Sequence, residues 1–253
     1  MRRIRQLMGT AFSLDVRGEI PDELIEQAFD AIEQAEARFS AFLPGSELSR
    51  LNRGELGLAE TSDDMREVLR LADAFQQASG GAFSARRDGK IDTDGIVKGW
   101  AAQRAADLLA NGGATDFCLN AGGDIITRGA PEPGRHWQAG IRDPFEASKL
   151  LGVLVLGQGA LATSGAYERG NHIDDPRTSA TPRTWASVSV LDPDLTIADT
   201  LATAVYAMGA DGPHWAQEEF GVSVITVDHA GHLTITGPVR WAHPTTARAR
   251  SAP

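Results

Sequence analysis

Four short stretches of this chain concentrate side chains that can bind an anion, hold a hard cation or move a proton. Ala162–Thr178 reads A-T-S-G-A-Y-E-R-G-N-H-I-D-D-P-R-T and gathers Thr163, Ser164, His172, Asp174, Asp175 and Arg177 around two glycines and one proline. Glycine lets a backbone approach a ligand closely, and Pro176 fixes a turn after paired carboxylates. The stretch is either a polar surface loop or a site carried on a loop. Ile91–Gly99, I-D-T-D-G-I-V-K-G, places Asp92, Asp94 and Lys98 before a helix, where free N–H groups and a lysine suit an anion. It lacks the spacing of a Walker A loop. In Ala198–Ala204, Asp199 and Thr203 are four apart and share one helix face. Their hard oxygens suit Mg²⁺ better than zinc, unless Asp199 only serves the helix dipole. In N-A-G-G-D, Asn120–Asp124, the two end residues either bond a ligand or cap a tight hairpin.

These groups need a scaffold. Apolar residues recur at helical spacing in Asp22–Phe39, Ser62–Ser79, Lys98–Asn111 and Asp199–Met208, each start or end marked by Pro, Ser, Asp or Gly. Strands are predicted at Thr10–Val16, Asp116–Leu119, Asp124–Arg128, Trp137–Ile141, Leu150–Leu156, Ala186–Leu191, Val222–Val227 and Leu233–Thr236. Gly, Pro and Asp turns between several of them suit antiparallel pairing. Helices interrupt at long intervals rather than in regular alternation, so the expected class is α+β. In Phe39–Asn52 the aromatics are core candidates, with one at a loop edge able to stack on a planar ring, and Gly81-Ala82-Phe83 repeats that arrangement.

The 253 residues carry 42% hydrophobic and 23% charged side chains, as an ordinary globular chain does. A formal net charge of −10 argues against nonspecific nucleic-acid binding. Cys118 is the single cysteine, which excludes an internal disulfide, and its apolar surroundings suit a structural thiol better than a nucleophile. The N-terminus lacks the apolar core of a signal peptide, and no apolar run reaches membrane-spanning length, so a cytoplasmic protein is expected. Residues 1–242 read as one domain, and 243–253 as a frayed tail.

Taken together, the stretches resemble the ApbE family of FAD:protein FMN transferases and their FAD-hydrolysing relatives. The matching motifs run in order from residue 8 to about 210: M-G-T, F-S-A-F-x-P-x-S-E-L-S-R-L-N, G-G-A-F, I-D-x-x-G-I-x-K-G, N-A-G-G-D, W-x-x-G-I-R-D-P, T-S-G-x-Y-E-R with H-I-x-D-P-R-T, and A-D-x-L-A-T-A. The resemblance implies an α+β fold of two mixed or antiparallel sheet lobes with packed helices. It implies an Mg²⁺-dependent enzyme that cleaves the FAD pyrophosphate, attaches FMN to a threonine of an acceptor protein and releases AMP. It assigns the metal to Asp199, Thr203 and the Gly95 carbonyl. It assigns FAD contacts to Met8, Phe42, Gly81, Ala82, Phe83, Asp92, Lys98, His172 and Asp174. His172 would take the proton from the attacking hydroxyl, since imidazole titrates near neutrality. An FAD pyrophosphatase and a non-catalytic flavin-binding protein are the alternatives. The chain departs from the usual motifs at Asp94, Gln103, Ala166, Asp174 and Ser179.

Overall fold

Alternation in the first strands and helical periodicity after them set the first layer. Phe12, Leu14 and Val16 point one way from β2 (Thr10–Arg17), which pairs antiparallel with β1 (Arg2–Leu7). Ile25, Ala28, Phe29, Ile32, Ala35 and Phe39 form the buried stripe of α1 (Asp22–Phe39), as its spacing predicts. The computed structural model describes residues 1–165, 173–243 and 249–251. The chain continues through α2 (Glu47–Asn52), α3 (Asp63–Ala78), the short strands β3 (Arg86–Arg87) and β4 (Lys90–Ile91), and α4 (Asp94–Asn111). Next come β5 (Asp116–Ala121), β6 (Asp124–Arg128), β7 (Gln138–Arg142), β8 (Leu150–Val155), β9 (Gly159–Gly165) and β10 (Trp185–Asp192). The remainder is α5 (Leu195–Met208), α6 (Gly212–Phe220), β11 (Ser223–Asp228), β12 (Leu233–Thr236), β13 (Trp241–His243) and β14 (Ala249–Ser251).

The strands form a nine-stranded sheet in the order β1, β2, β5, β6, β9, β10, β11, β12, β14. Its described pairs are antiparallel except β12 with β14. A three-stranded sheet runs β13, β8, β7, and β3 with β4 makes a two-stranded ribbon. On one face of the large sheet, Phe12, Phe117, Leu119, Ile126, Val188 and Val190 join the buried faces of α1, α4 and α5. On the other, Leu161, Ile225, Val227 and Leu233 meet Ala139, Ile141, Leu151 and Leu154 of the smaller sheet. The class is α+β, as expected.

Three differences from the sequence reading bear on the cleft. The first part of Ala162–Thr178 is no loop, because Gly159–Gly165 is an interior strand between β6 and β10. Six of its seven residues are buried, so the strand lacks the alternation that marks a half-exposed one. The helix expected from Lys98 starts at Asp94, and that expected from Asp199 starts at Leu195. Asp194 caps the latter by accepting from the Thr196 and Ile197 amides, so Asp199 lies inside the helix and away from its positive end. Among the described residues, no helix is long and apolar enough to cross a membrane.

Candidate active site

A cleft of about 820 Å³ opens between the β1–β2 turn, the segment after α1, the start of α4, β9 and α5. That volume lies within the range of small-molecule sites. Each wall has a local cause. Met8 and Gly9 form a two-residue hairpin turn in which both φ angles are positive, +51° and +72°. A methionine held in that region is strained, and its residue lines the cleft. Ser40 accepts the Phe42 and Leu43 amides at 3.2 Å, shaping the loop that leaves Phe42 89% exposed on the rim. Beyond α3 the chain turns at Gly80 and Gly81, and the Ser79 hydroxyl accepts the Phe83 amide at 3.0 Å, directing Ala82 and Phe83 inward. Asn52 grips the backbone of Ile91 on both sides, at 2.7 and 2.8 Å, and so fixes the approach to Asp92.

The floor is charged. Asp199 is buried, and its Oδ2 accepts the Gly99 amide at 2.9 Å. That amide would serve the Gly95 carbonyl in a regular helix. Gly99 also lets α4 and α5 meet, since a Cβ there would stand 2.6 Å from the Leu195 carbonyl oxygen. Lys98 Nζ lies 2.5 Å from Asp124 Oδ2 and 3.6 Å from Asp199 Oδ1. Burial pushes the Asp199 carboxyl up to about 6, against the pull of Lys98. Thr203, one turn beyond Asp199, lines the cleft and stands 3.4 Å from the Ser164 hydroxyl. A Cβ at Gly95 would meet Phe83 at 3.0 Å and Thr203 at 3.5 Å, so this glycine brings the first turn of α4 against α5.

The structure thus brings Met8, Phe42, Ala82, Phe83, Asp92, Gly95, Lys98, Asp174, Asp199 and Thr203 to one cleft. Gly81 precedes Ala82 without lining the cleft itself, and a Cβ there would meet Arg177 at 3.6 Å. His172 and Ala166 lie outside the described residues. Asn120 caps the β5–β6 turn by accepting the Gly123 amide, while Asp124 binds Lys98 and the Thr163 amide. Neither Asn120 nor Asp124 lines the cleft. Thr163 and Ser164 do, as the sequence reading of this stretch suggested, but they are carried on the strand β9 rather than on a loop.

Most of the motif departures have structural reasons. Asp94 occupies the first turn of α4, where a carboxylate suits the dipole. Gln103 accepts the Leu195 amide at 2.9 Å, satisfying an orphan donor at the start of α5. Asp174 pairs with Arg87 and accepts the Thr181 hydroxyl, so its charge is compensated at the cleft edge. Arg177 holds the Asp175 carboxyl below the usual range through a bidentate pair at 2.9 Å. Ser179 adopts φ +56°, a conformation that favours glycine. The W-x-x-G-I-R-D-P motif serves the fold, with the Trp137 indole donating to the Arg128 carbonyl at 2.9 Å. Burial pushes the half-buried Cys118 thiol up to about 11, which leaves it poorly nucleophilic at neutral pH.

The residues on this floor suit a hard divalent cation. Asp199 on the floor and Asp124 behind it face one ammonium, leaving a net negative charge, and the neighbouring Thr203 hydroxyl and Gly95 carbonyl are hard oxygen donors.

A family model described as the ApbE family matches residues 8–87 and 84–226. The chain is similar to an FAD:protein FMN transferase of Rhodobacter capsulatus, 35% identical over 161 residues, covering 60% of this chain and 30% of that protein. It is similar to another of Vibrio cholerae, 32% identical over 131 residues, covering 48% of this chain and 39% of that protein. The chain therefore spans well under half the length of either relative. In fold it is similar to the ApbE protein of Thermotoga maritima, with a TM-score of 0.81, 23% identity, and 92% and 96% of the two chains covered.

Proposed function

The chain belongs to the ApbE family, and from that premise we propose that it is an Mg²⁺-dependent FAD:protein FMN transferase. The observation that carries this reading is the half-buried Lys98 set between two buried carboxylates, Asp199 on the floor of a ligand-sized cleft and Asp124 behind it, which leaves negative charge uncompensated. Two curated relatives carry the name of that activity, which supports the reading. Asp199, Thr203 and the Gly95 carbonyl would hold Mg²⁺, which when bound neutralises diphosphate charge and stabilises the leaving phosphate.

The chain's own residues do the rest. Phe42, exposed on the rim, offers a ring face to the flavin, and Met8 and Phe83 add apolar walls. Lys98 offers its ammonium to phosphate oxygens, and Asp92 and Asp174 hydrogen-bond polar groups of the dinucleotide. The acceptor threonine Oγ attacks the FMN phosphorus. The bond to the AMP oxygen breaks, and AMP leaves with the electron pair. His172 takes the hydroxyl proton. Gly81, with φ +86°, lets the chain turn into the Ala82–Phe83 wall and approach FAD closely.

Incubation of the full chain with FAD, Mg²⁺ and a threonine-bearing acceptor peptide tests the reading. AMP release with flavin on the peptide is expected. AMP with free FMN and unlabelled peptide would make the chain a hydrolase, and bound FAD without AMP would make it a flavin-binding protein.

A further inference from the structure

Asp124 contributes charge beside the cleft but no step of the chemistry above, and its carboxylate is deeply buried. It is 2% exposed and does not line the cleft. A carboxylate so deeply buried is costly unless it is paired and hydrogen-bonded. Oδ1 accepts the Thr163 amide at 2.9 Å, which ties the start of β6 to β9. Oδ2 meets Lys98 Nζ at 2.5 Å and, apart from that ion pair, has no hydrogen-bond partner among the described residues. The same ammonium stands 3.6 Å from Asp199 Oδ1, beyond direct hydrogen-bond contact.

Lys98 is therefore shared unequally between two buried carboxylates. It sits against the one behind the cleft wall and stands off the one that faces the cleft. An ammonium in contact with Asp199 Oδ1 would occupy the side of the carboxylate that a divalent cation needs. We propose that Asp124 is a positioning residue that draws Lys98 away from Asp199 and so keeps the Asp199 carboxylate open to the cation. The inference rests on the metal assignment made above.

Asp124→Asn keeps an acceptor for the Thr163 amide and nearly the same shape, but it releases the ammonium. Lys98 then closes on Asp199. Bringing a unit charge from 3.6 Å to a contact of about 2.8 Å, at an effective dielectric of about 20, weakens a competing cation by about tenfold.

The test is a Mn²⁺ titration of the full chain without flavin, read from the electron paramagnetic resonance of the free ion. D124N should bind Mn²⁺ about tenfold more weakly than the parent. Adding Lys98→Met should restore parent-level or tighter binding, because the competitor is gone. Parent-like affinity in D124N would overturn the proposal. So would a double variant as weak as D124N, since Asp124 would then act by a route other than Lys98. A parent that binds no Mn²⁺ would overturn the metal assignment itself, and the proposal with it. If circular dichroism finds D124N unfolded, the double variant, which keeps the parent's net charge, decides alone. Binding at or above the parent level supports the proposal, and weaker binding contradicts it.

Discussion

Replacing Asp199 with asparagine should stabilise the metal-free protein, and only above a certain pH. The Asp199 carboxyl is raised from 3.8 to about 6, chiefly by burial. Below the ordinary value, native and unfolded states both carry the proton, and the group costs nothing. Between the two values the native state holds a proton that the unfolded chain has released. Stability is therefore lost as pH rises through about 6. The gap corresponds to about 3 kcal/mol at neutral pH and above. Asparagine removes the charge and keeps an oxygen for the Gly99 amide. Urea unfolding of parent and Asp199→Asn, in chelator, should show no difference at acidic pH and a gain approaching about 3 kcal/mol for the variant at neutral pH. Mg²⁺ should raise the stability of the parent and leave the variant unchanged. Equal differences at both pH values, or a variant less stable at neutral pH, would refute the view that Asp199 is a buried charge awaiting a cation.

Three further perturbations probe other parts of the account. Gly99→Ala should destabilise by about 1–3 kcal/mol in thermal or urea unfolding and weaken metal binding, because the new methyl would meet the Leu195 backbone at 2.6 Å and Asp199 Cβ at 2.7 Å. Unchanged stability would mean that α4 and α5 do not meet closely at this glycine. Ser179→Gly should stabilise by about 1 kcal/mol by relieving the φ of +56°, and a loss would contradict the left-handed conformation. His172→Ala should slow FMN transfer by about 100-fold while FAD affinity changes little, and a loss confined to affinity would make His172 a phosphate ligand rather than a base.

Periodic, capped segments were the most legible in the sequence. The apolar stripe of α1 fixes its extent, and Ser62 caps α3 where the serine signal predicts, accepting the Met65 amide at 3.2 Å. The starts of α4 and α5 were harder to read, because their first turns carry Asp94 and Gly95 or Leu195 and Thr196, which resemble loop. β9 escaped because both of its faces are buried, which erases alternation. β1 escaped because Arg3 and Arg5 break its apolar pattern, and the structure pairs them with Asp22, Glu26 and Asp30 of α1. At the site, helical spacing was enough to put Asp199 and Thr203 together. Nothing local could have joined Asp124 to Lys98, since their contact depends on how β6 and α4 stack. The departure at Asp174 had no local explanation in the sequence, because its partners Arg87 and Thr181 come from other segments.

Tandem mass spectrometry of an acceptor peptide, recovered after incubation with the full chain, FAD and Mg²⁺, reads directly where the FMN goes. FMN joined through phosphate to the threonine side chain is expected, with AMP released in equal amount. FAD consumed to AMP and free FMN, with every threonine unmodified, would contradict it.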